Sequence, residues 1–315
     1  MSNQTKVISL DHGNKNFKTA NSVFNSSFTN STNLPAMGGD TLTYDGTEYT
    51  LTTHRMPQKN DKTIDDAYFI LTLFAIGKEL ADGLDSVVPN EPIDITLLAG
   101  LPPSHVRQNG PSFVRYLKRE EPITFSLNSH PFRIRITDVY VFPQAYAAAL
   151  TVADKIKDSR IVGVAYVGGY TVDCLQLIDF KADATTCTSL YRGTNTLFDK
   201  INDQIRTTGV RDSPDILLEG IIQNDPRTLK DCTPERIQLV KNLTTDFTRE
   251  MLLAVSQAGI DLKQNKTLFI GGGALLLQQY IEQSGLVAKP VFVDDVHANA
   301  RGYKLIYDKR MERKA

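Results

Sequence analysis

The feature that most constrains the fold of this chain is a pattern that occurs once in each half. Each half opens with an apolar strand, a glycine-containing turn and a second strand, at residues 7–20 and again at 161–179. A repeated unit of this kind predicts two similar α/β domains that face each other. With the boundary near Asp158, the 315 residues divide into domains of 1–157 and 158–298, and a last helix, 299–315, returns to the first domain.

The bulk composition excludes several classes of protein. A net charge of -1 gives no reason to expect direct contact with nucleic acid. The three cysteines have unrelated spacings and are expected to be reduced thiols. No apolar stretch reaches the roughly 18 residues that a membrane-spanning helix needs, and the first residues lack an apolar signal core. We therefore expect a cytoplasmic protein that does not contact a membrane.

Local patterns predict the elements of the first domain. The chain opens with a β-hairpin, and a second hairpin turns at Asp45-Gly46 inside a small insertion at about 33–62. A long buried helix follows, with Thr63 as its N-cap and Asp65 and Asp66 in its first turn. "IDITLLAGL" is a buried strand, "PITFSLNSHPFRIRITDVYVFP" gives two or three more strands, and "QAYAAALTVADKI" is a helix.

The second domain begins with the strands "RIVGVAYVG" and "YTVDCLQLID". A helical stretch runs from about Thr194 to Gly259 and includes a helical insertion at about 200–260. "KTLFIGGGALLLQQYIEQ" then predicts a strand, three glycines and a helix. The final helix begins around Asn299.

The first turn, "DHGNKNFK", combines groups that suit a phosphate and a metal ion. Gly13 permits close approach of the backbone, and Asn14 and Asn16 can donate to phosphate oxygens. Lys18 supplies a positive charge, and Asp11 could hold a hydrated magnesium ion. A surface hairpin accounts for the same residues, and taken alone the turn fits that structural interpretation better.

The second turn, "YVGGYTVD", offers a similar surface. Gly168 and Gly169 can lie against a phosphate, and Thr171 is a further donor. Taken alone, this turn too fits a structural role better. If the two turns face each other across a cleft, they would hold a polyphosphate from both sides.

The third element is the triple glycine of "LFIGGGALLL", followed by Ala274. Gly271, Gly272 and Gly273 would let a flat base or a ribose lie against bare backbone, and the helix N-terminus favours an anion. The dinucleotide fingerprint G-x-G-x-x-G does not follow from Gly271, and "TLFAIGKE" fails as a Walker A loop.

Five motifs in order resemble the actin/Hsp70/sugar-kinase ATPase superfamily, and within it the bacterial actin-like, plasmid-segregating ParM-type proteins. They are the phosphate loops "DHGNKNFK" and "AYVGGYTVD", the connecting segments "VYVFPQAYAAAL" and "HANARGY", and the adenosine motif "IGGGALLL". The resemblance implies a duplicated, ribonuclease H-like actin fold of class α/β. Two lobes would surround ATP/ADP, or GTP/GDP, with Mg²⁺ in the cleft.

The resemblance also implies the roles of individual residues. Gln144 would orient the attacking water, and Asp11 would assist catalysis and hold the metal through water. Gly193 and Asn195 would line the nucleotide. The sequence departs from the family at Tyr166, where an aspartate usually begins the second phosphate loop, and strand alternation does not return Asp173 to that place. Either Asp11 suffices to organise magnesium, or hydrolysis is slow.

The function that the resemblance implies is a nucleotide-driven filament that segregates plasmid or other DNA. Its partners would be further copies of the chain and an adaptor bound to centromere-like DNA, because the filament itself does not touch DNA. Tyr44, Tyr49 and Leu51 on the insertion could form subunit contacts or only pack the hairpin. The alternatives are a small-molecule kinase of the same fold and a non-hydrolysing nucleotide-binding scaffold, the latter motivated by Tyr166.

Overall fold

The computed structural model describes residues 5–30, 39–53, 56, 59, 61–81 and 91–314. Contacts within the chain define two compact units. The first unit consists of Met1–Thr151 and His297–Ala315, and the second of Val152–Val296. The chain thus passes from one unit to the next at Thr151, seven residues before the boundary placed near Asp158. Part of the predicted insertion at about 33–62 lies outside the described residues.

The described residues form fourteen strands and eleven helices. Up to the end of the alanine-rich segment they are β1 (Lys6–His12), β2 (Asn16–Lys18), β3 (Val23–Asn25), β4 (Phe28–Asn30), β5 (Thr41–Tyr44), β6 (Thr47–Leu51), α1 (Ala67–Ala81), β7 (Ile93–Leu101), α2 (Val106–Leu117), β8 (Arg119–Leu127), β9 (His130–Pro143) and α3 (Tyr146–Leu150). The remaining elements are α4 (Ala153–Ile156), β10 (Ile161–Val167), β11 (Val172–Ile178), β12 (Lys181–Leu190), α5 (Thr194–Arg206), α6 (Asp215–Ile222), α7 (Pro226–Leu229), α8 (Pro234–Gln257), β13 (Lys266–Ile270), α9 (Gly272–Leu276), α10 (Gln278–Gln283), β14 (Lys289–Phe292) and α11 (Ala298–Glu312).

The first unit is built on a nine-stranded mixed sheet in the order β3-β2-β1-β7-β9-β8-β5-β6-β4. Its centre is parallel, because β7 pairs in parallel with both β1 and β9. Neighbouring residues of β7 enter different cores: Leu97 joins the core that contains α1, and Leu98 joins the one that contains Tyr303 of α11. Since successive side chains of a strand point to opposite faces, the sheet lies between these helices.

The second unit has a five-stranded sheet in the order β12-β11-β10-β13-β14. β10 pairs antiparallel with β11 and parallel with β13. Side chains of β10, β11 and β13 share a buried core with α5, α6 and α8. The predicted strand–turn–strand start of this half and its helical stretch are confirmed.

The early hairpins are also confirmed. β1 and β2 pair antiparallel, with Asp11 opposite Lys18. β5 and β6 pair around Asp45 and Gly46, whose φ angles of 48° and 71° are those of a two-residue turn that matches the twist of a hairpin. "PITFSLNSHPFRIRITDVYVFP" forms two strands, β8 and β9.

Two helix predictions are wrong in detail. Thr63 is not an N-cap, since α1 begins at Ala67, and the Thr63 hydroxyl donates instead to Asp61 at 2.7 Å. The carboxylate of Asp65 accepts the N–H of Ala67 at 3.0 Å, so both predicted first-turn aspartates precede the helix. The predicted end of this helix, beyond Ala81, lies outside the described residues.

The alanine-rich segment forms two short helices, α3 and α4, rather than one. Among the described residues, no helix is both long enough and apolar enough to cross a membrane.

Candidate functional site

The carboxylate of Asp11, at the end of β1, is the centre of a buried polar network in the first unit. Its Oδ1 accepts from Nε2 of Gln144 at 2.8 Å, and its Oδ2 accepts from Nδ2 of Asn299 at 3.3 Å. The ammonium of Lys18 lies 3.7 Å from Oδ2. Asp11 is 1% exposed, and these donors offset the cost of burying its carboxyl group. Segments far apart in sequence therefore meet at one side chain.

Gln144 follows the last residue of β9 and is 5% exposed. Its backbone N–H donates to the carbonyl of Leu101, which extends the pairing of β7 and β9 by one residue. Because an ionised carboxylate can only accept hydrogen bonds, the nitrogen of the Gln144 amide must face Asp11. The other amide atom, Oε1, is an acceptor, which is the type of group that can hold a water molecule by its hydrogen.

The turn after Asp11 is tightly held. A Cβ on Gly13 would lie 2.3 Å from the carbonyl oxygen of Asn16, so only glycine fits there. The Oδ1 of Asn14 accepts from the hydroxyl of Tyr68 at 2.6 Å, which directs its Nδ2 donors away from that side chain. Ser26 donates to the carbonyl of Gly13 at 2.6 Å. Asn16, at the start of β2, is paired with β3.

A buried histidine and a lysine stabilise the backbone of the same turn. His12 is fully buried, and burial together with the positive charge of Lys62 lowers its pKa to about 3, against a smaller opposing effect of the hydrogen bond to the Leu10 carbonyl. The ammonium of Lys62 donates to the carbonyl of His12 and lies 5.2 Å from the ring centre of Tyr68. These contacts fix the backbone beside Asp11.

In the second unit, the turn between β10 and β11 is joined to the start of α5. The amide of Gly168 donates to the carbonyl of Thr171 at 2.8 Å, which closes the turn. The carbonyl of Gly168 accepts from Thr194 at 3.1 Å, and that of Gly169 accepts from the amide of Asn195 at 2.6 Å. A further bond joins the amide of Gly193 to the carbonyl of Tyr170 at 2.9 Å. The structure thus brings together the predicted residues of this turn and of "RGTN".

One predicted nucleotide residue carries an unsatisfied polar atom. Asn195 is 1% exposed, and its side-chain Oδ1 has no hydrogen-bond partner among the described residues. A buried acceptor without a partner costs about 1–3 kcal/mol. Such an atom is suited to accept a hydrogen bond from a ligand, for example from a ribose hydroxyl or an exocyclic amine.

The three positions after β13 are occupied by glycine for different structural reasons. Gly271 has a φ of 94° and lies against the carbonyl of Val167, where a Cβ would come within 2.8 Å. A Cβ on Gly273 would lie 2.6 Å from Cγ1 of Val167. Both glycines are thus required by packing of this segment against β10. Gly272 has nothing within 4 Å of its Cβ position, so it alone leaves the bare surface that the sequence predicted for all three. Ala274 is buried in the core.

The expectation that Asp173 lies away from position 166 is wrong. Tyr166 and Asp173 are direct partners in the β10–β11 ladder. Opposed residues of an antiparallel pair project to the same face, so this ladder returns a carboxylate to the face of Tyr166. Asp173 is 1% exposed and accepts from the hydroxyl of Ser189 at 2.6 Å. Alternation within one strand does not reveal this proximity, which depends on how the two strands pair.

The carboxylate of Asp11 fits a magnesium ion better than a metal ion whose ligands all come from the protein. Within the described ranges, no three or more His, Cys, Asp or Glu side chains form a cluster that could hold a metal ion. Magnesium in nucleotide sites keeps several waters and takes one or two carboxylates plus phosphate oxygens. Asp11, a single buried carboxylate surrounded by donors, fits a contact through water.

Three site residues were not among the predicted ones. Asn299 was named only in the motif "HANARGY" and as the start of the last helix, although it contacts Asp11 directly. Its signal was that motif, which places an asparagine in the first turn of the last helix. Tyr68 and Lys62 gave no signal, because their contacts with the first turn depend on how α1 and the residues before it pack against β1.

Comparison with known proteins agrees with this architecture. Residues 5–146 match a family model described as the N-terminal domain of actin-like proteins. None of the curated proteins matches the chain in sequence.

Several solved structures share the fold. Ta0583, an archaeal actin homolog in complex with ADP, superposes with a TM-score of 0.72 at 18% identity over 96% of this chain and 99% of its own. The 15-stranded ParM filament from Clostridium botulinum gives 0.73 at 16% identity over 96% and 99%. The AlfA filament bound to AMPPNP gives 0.59 at 14% identity over 99% of both chains. The chain therefore has an actin-like fold, as predicted.

Proposed function

We propose that this chain, which has an actin-like fold, belongs with the ParM-type actin-like proteins and is an ATPase that polymerises into filaments in response to nucleotide. The observation that carries the proposal is the buried pair of Gln144 and Asp11, whose side chains are 2.8 Å apart. The similar ParM and AlfA structures are filaments, which supports self-association of this chain. The ADP and AMPPNP complexes of Ta0583 and AlfA support an adenine nucleotide over a guanine nucleotide.

Each group near Asp11 has a proposed task. Magnesium, held through water on Asp11, would neutralise charge on the β- and γ-phosphates. Lys18 and the Nδ2 of Asn14 would donate to phosphate oxygens, with the amide of Asn14 oriented by Tyr68. Gln144 would hold the attacking water through Oε1, which positions the water without a base.

In the second unit, the proposed binding residues are those that the β10–β11 turn and the start of α5 bring together. Gly168, Gly169 and Thr171 would contact phosphate. The buried Oδ1 of Asn195 would accept a hydrogen bond from the nucleoside. The open surface at Gly272 would accept the base or ribose.

We assign DNA segregation as the biological role, with an adaptor protein between filament and DNA. The net charge of -1 supports an indirect link, because direct binding to DNA requires a surface that neutralises phosphates.

The decisive experiment follows right-angle light scattering and phosphate release in one cuvette after Mg-ATP is added to purified protein. Scattering that rises and then decays as phosphate accumulates is the expected result. A rise that persists with little phosphate would favour a non-hydrolysing scaffold. Unchanged scattering at every protein concentration would refute the filament and favour a small-molecule kinase.

Two variants separate binding from chemistry in the same assay. Gln144→Ala should slow phosphate release at least about tenfold, because the water loses its orienting group, while ATP affinity stays within about twofold. Asp11→Ala should weaken magnesium-dependent ATP binding. If Gln144→Ala lowers affinity as much as turnover, Gln144 does not have the proposed role.

A further inference from the structure

The backbone immediately after Gln144 has an unusual conformation. Ala145 has φ 57° and ψ -55°, and it is completely buried. The amide of Tyr146 donates to the carbonyl of Gln144, so residues 144–146 form a γ-turn with a positive φ at its centre. This is the rarer and more strained form of the γ-turn. For a residue with a side chain, such a conformation persists only where the surrounding structure dictates it.

The surroundings of Ala145 supply this constraint from both sides. On one side, Gln144 is attached to the sheet through its bond to the carbonyl of Leu101 at 2.9 Å. On the other, α3 is fixed against α11, where a Cβ on Gly302 would lie 2.1 Å from the carbonyl of Ala147. One residue must therefore change the chain direction between a fixed strand and a fixed helix.

Asn299 links the strained turn to the carboxylate. Its Oδ1 accepts from the backbone amide of Ala145 at 3.0 Å, and its Nδ2 donates to Oδ2 of Asp11 at 3.3 Å. Gln144 donates to the other oxygen of the same carboxylate. The side chain of Gln144 and the amide that follows it thus have fixed positions relative to Asp11. Asn299 is 1% exposed, so water does not replace these bonds.

We propose that Asn299 and the strained γ-turn at Ala145 form a positioning device that holds the Gln144 amide against Asp11. The turn that joins the fixed strand to the fixed helix also sets the direction in which Gln144 projects. Asn299 is a positioning residue and acts through Ala145. The catalytic consequence rests on the function proposed above, whereas the positioning itself does not.

Ala145→Gly tests the device, because glycine adopts other conformations at this position and all polar side chains remain. Ala148→Gly is the matched control: Ala148 is equally buried but lies within α3 and is not one of the positive-φ residues. Both variants lose one buried methyl group, and only the first loses the restriction on the turn.

The first readout uses nucleotide-free protein labelled with ¹⁵N at glutamine, with the Gln144 side-chain signal assigned from Gln144→Ala. In wild type and in Ala148→Gly, we expect the Gln144 amide to be rigid and shifted from solvent-exposed glutamines. In Ala145→Gly it should become mobile. A Gln144 amide that stays rigid in Ala145→Gly overturns the proposal, as does one that becomes equally mobile in Ala148→Gly.

The second readout is phosphate release. Ala145→Gly should slow it about tenfold with ATP affinity changed less than about twofold, and Asn299→Ala should slow it less in the Ala145→Gly background than in wild type. Additive effects of the two substitutions would refute action of Asn299 through the turn. If the wild-type protein releases no phosphate, the ATPase proposal is refuted. If the Gln144 amide is nevertheless rigid in the wild type and mobile in Ala145→Gly, the positioning device stands.

Discussion

Lowering the pH from 7 to 5 should destabilise the first unit through His12, which lies in the chain between Asp11 and Gly13. The ring is fully buried between Phe17 and Phe113, with centroid distances of 4.9 and 5.1 Å. Its Nδ1 lies 3.2 Å from the carbonyl of Leu10, and since a carbonyl only accepts, this nitrogen carries the proton of the neutral ring.

The size of the effect follows from the pKa. Burial and the charge of Lys62 lower the pKa of His12 to about 3 in the folded protein, from about 6.5 in the unfolded chain. Between these values the unfolded chain binds a proton that the folded protein does not, so stability falls as pH falls. From His12 alone, the free energy of unfolding falls by about 2 kcal/mol between pH 7 and pH 5. Relative to pH 7, the loss reaches roughly 5 kcal/mol below pH 3.

The assay is urea unfolding at pH 7 and pH 5, with wild type compared with His12→Phe. Amide hydrogen exchange of β1 and α1 assigns the transition to the first unit. The phenyl ring suits the aromatic neighbours but does not titrate, and all other titrating groups are common to both proteins. The His12→Phe variant should therefore lose about 2 kcal/mol less stability than the wild type between the two pH values. Equal losses would show that His12 is protonated in the folded protein and would refute the reasoning.

Two further substitutions test the site residues that the fold revealed. Tyr68→Phe removes only the hydroxyl that orients Asn14, so ATP affinity in a fluorescent-nucleotide titration should fall about three- to tenfold; unchanged affinity would mean that Asn14 binds nucleotide without this support or not at all. Asp173→Asn removes the charge that faces Tyr166 and keeps an acceptor for the neighbouring serine. If this carboxylate takes the place of the aspartate that the family carries at position 166, the substitution should raise the magnesium concentration needed for half-maximal phosphate release severalfold. An identical magnesium curve would show that Asp173 does not take that place.

Local sequence patterns were sufficient to predict most of the strands and helices. The apolar residues of β1 and β10 and the residues of their turns predicted both hairpins, and each of these strands lies inside its sheet. Thr63 shows where this fails, because an N-cap prediction assumes that the hydroxyl is available, whereas Asp61 takes it. Competition between neighbouring polar groups decides such ends, and the sequence does not rank the competitors.

The site was predictable only for residues carried by a motif. The motifs predict Asp11 and Gln144, and the structure joins them directly. The partnership of Tyr166 with Asp173 depends on the register of two strands, which a one-residue slip would abolish. The contact of Tyr68 with Asn14 depends on the docking of a helix that starts more than fifty positions later. Long-range contacts of this kind follow from packing and leave no local pattern.

In the proposed ATPase, the network around Asp11 would link the positioning of the attacking water to the binding of the metal. The donor that Gln144 gives to Oδ1 of Asp11 is of the same kind as the one a metal-bound water would give. A buried carboxylate left short of a donor is costly, so the amide of Gln144 can be redirected only when another donor replaces it. Asn299 keeps the second oxygen of Asp11 satisfied throughout. In the proposed ATPase, the carboxylate that would hold the metal through water therefore also fixes the amide that would hold the attacking water.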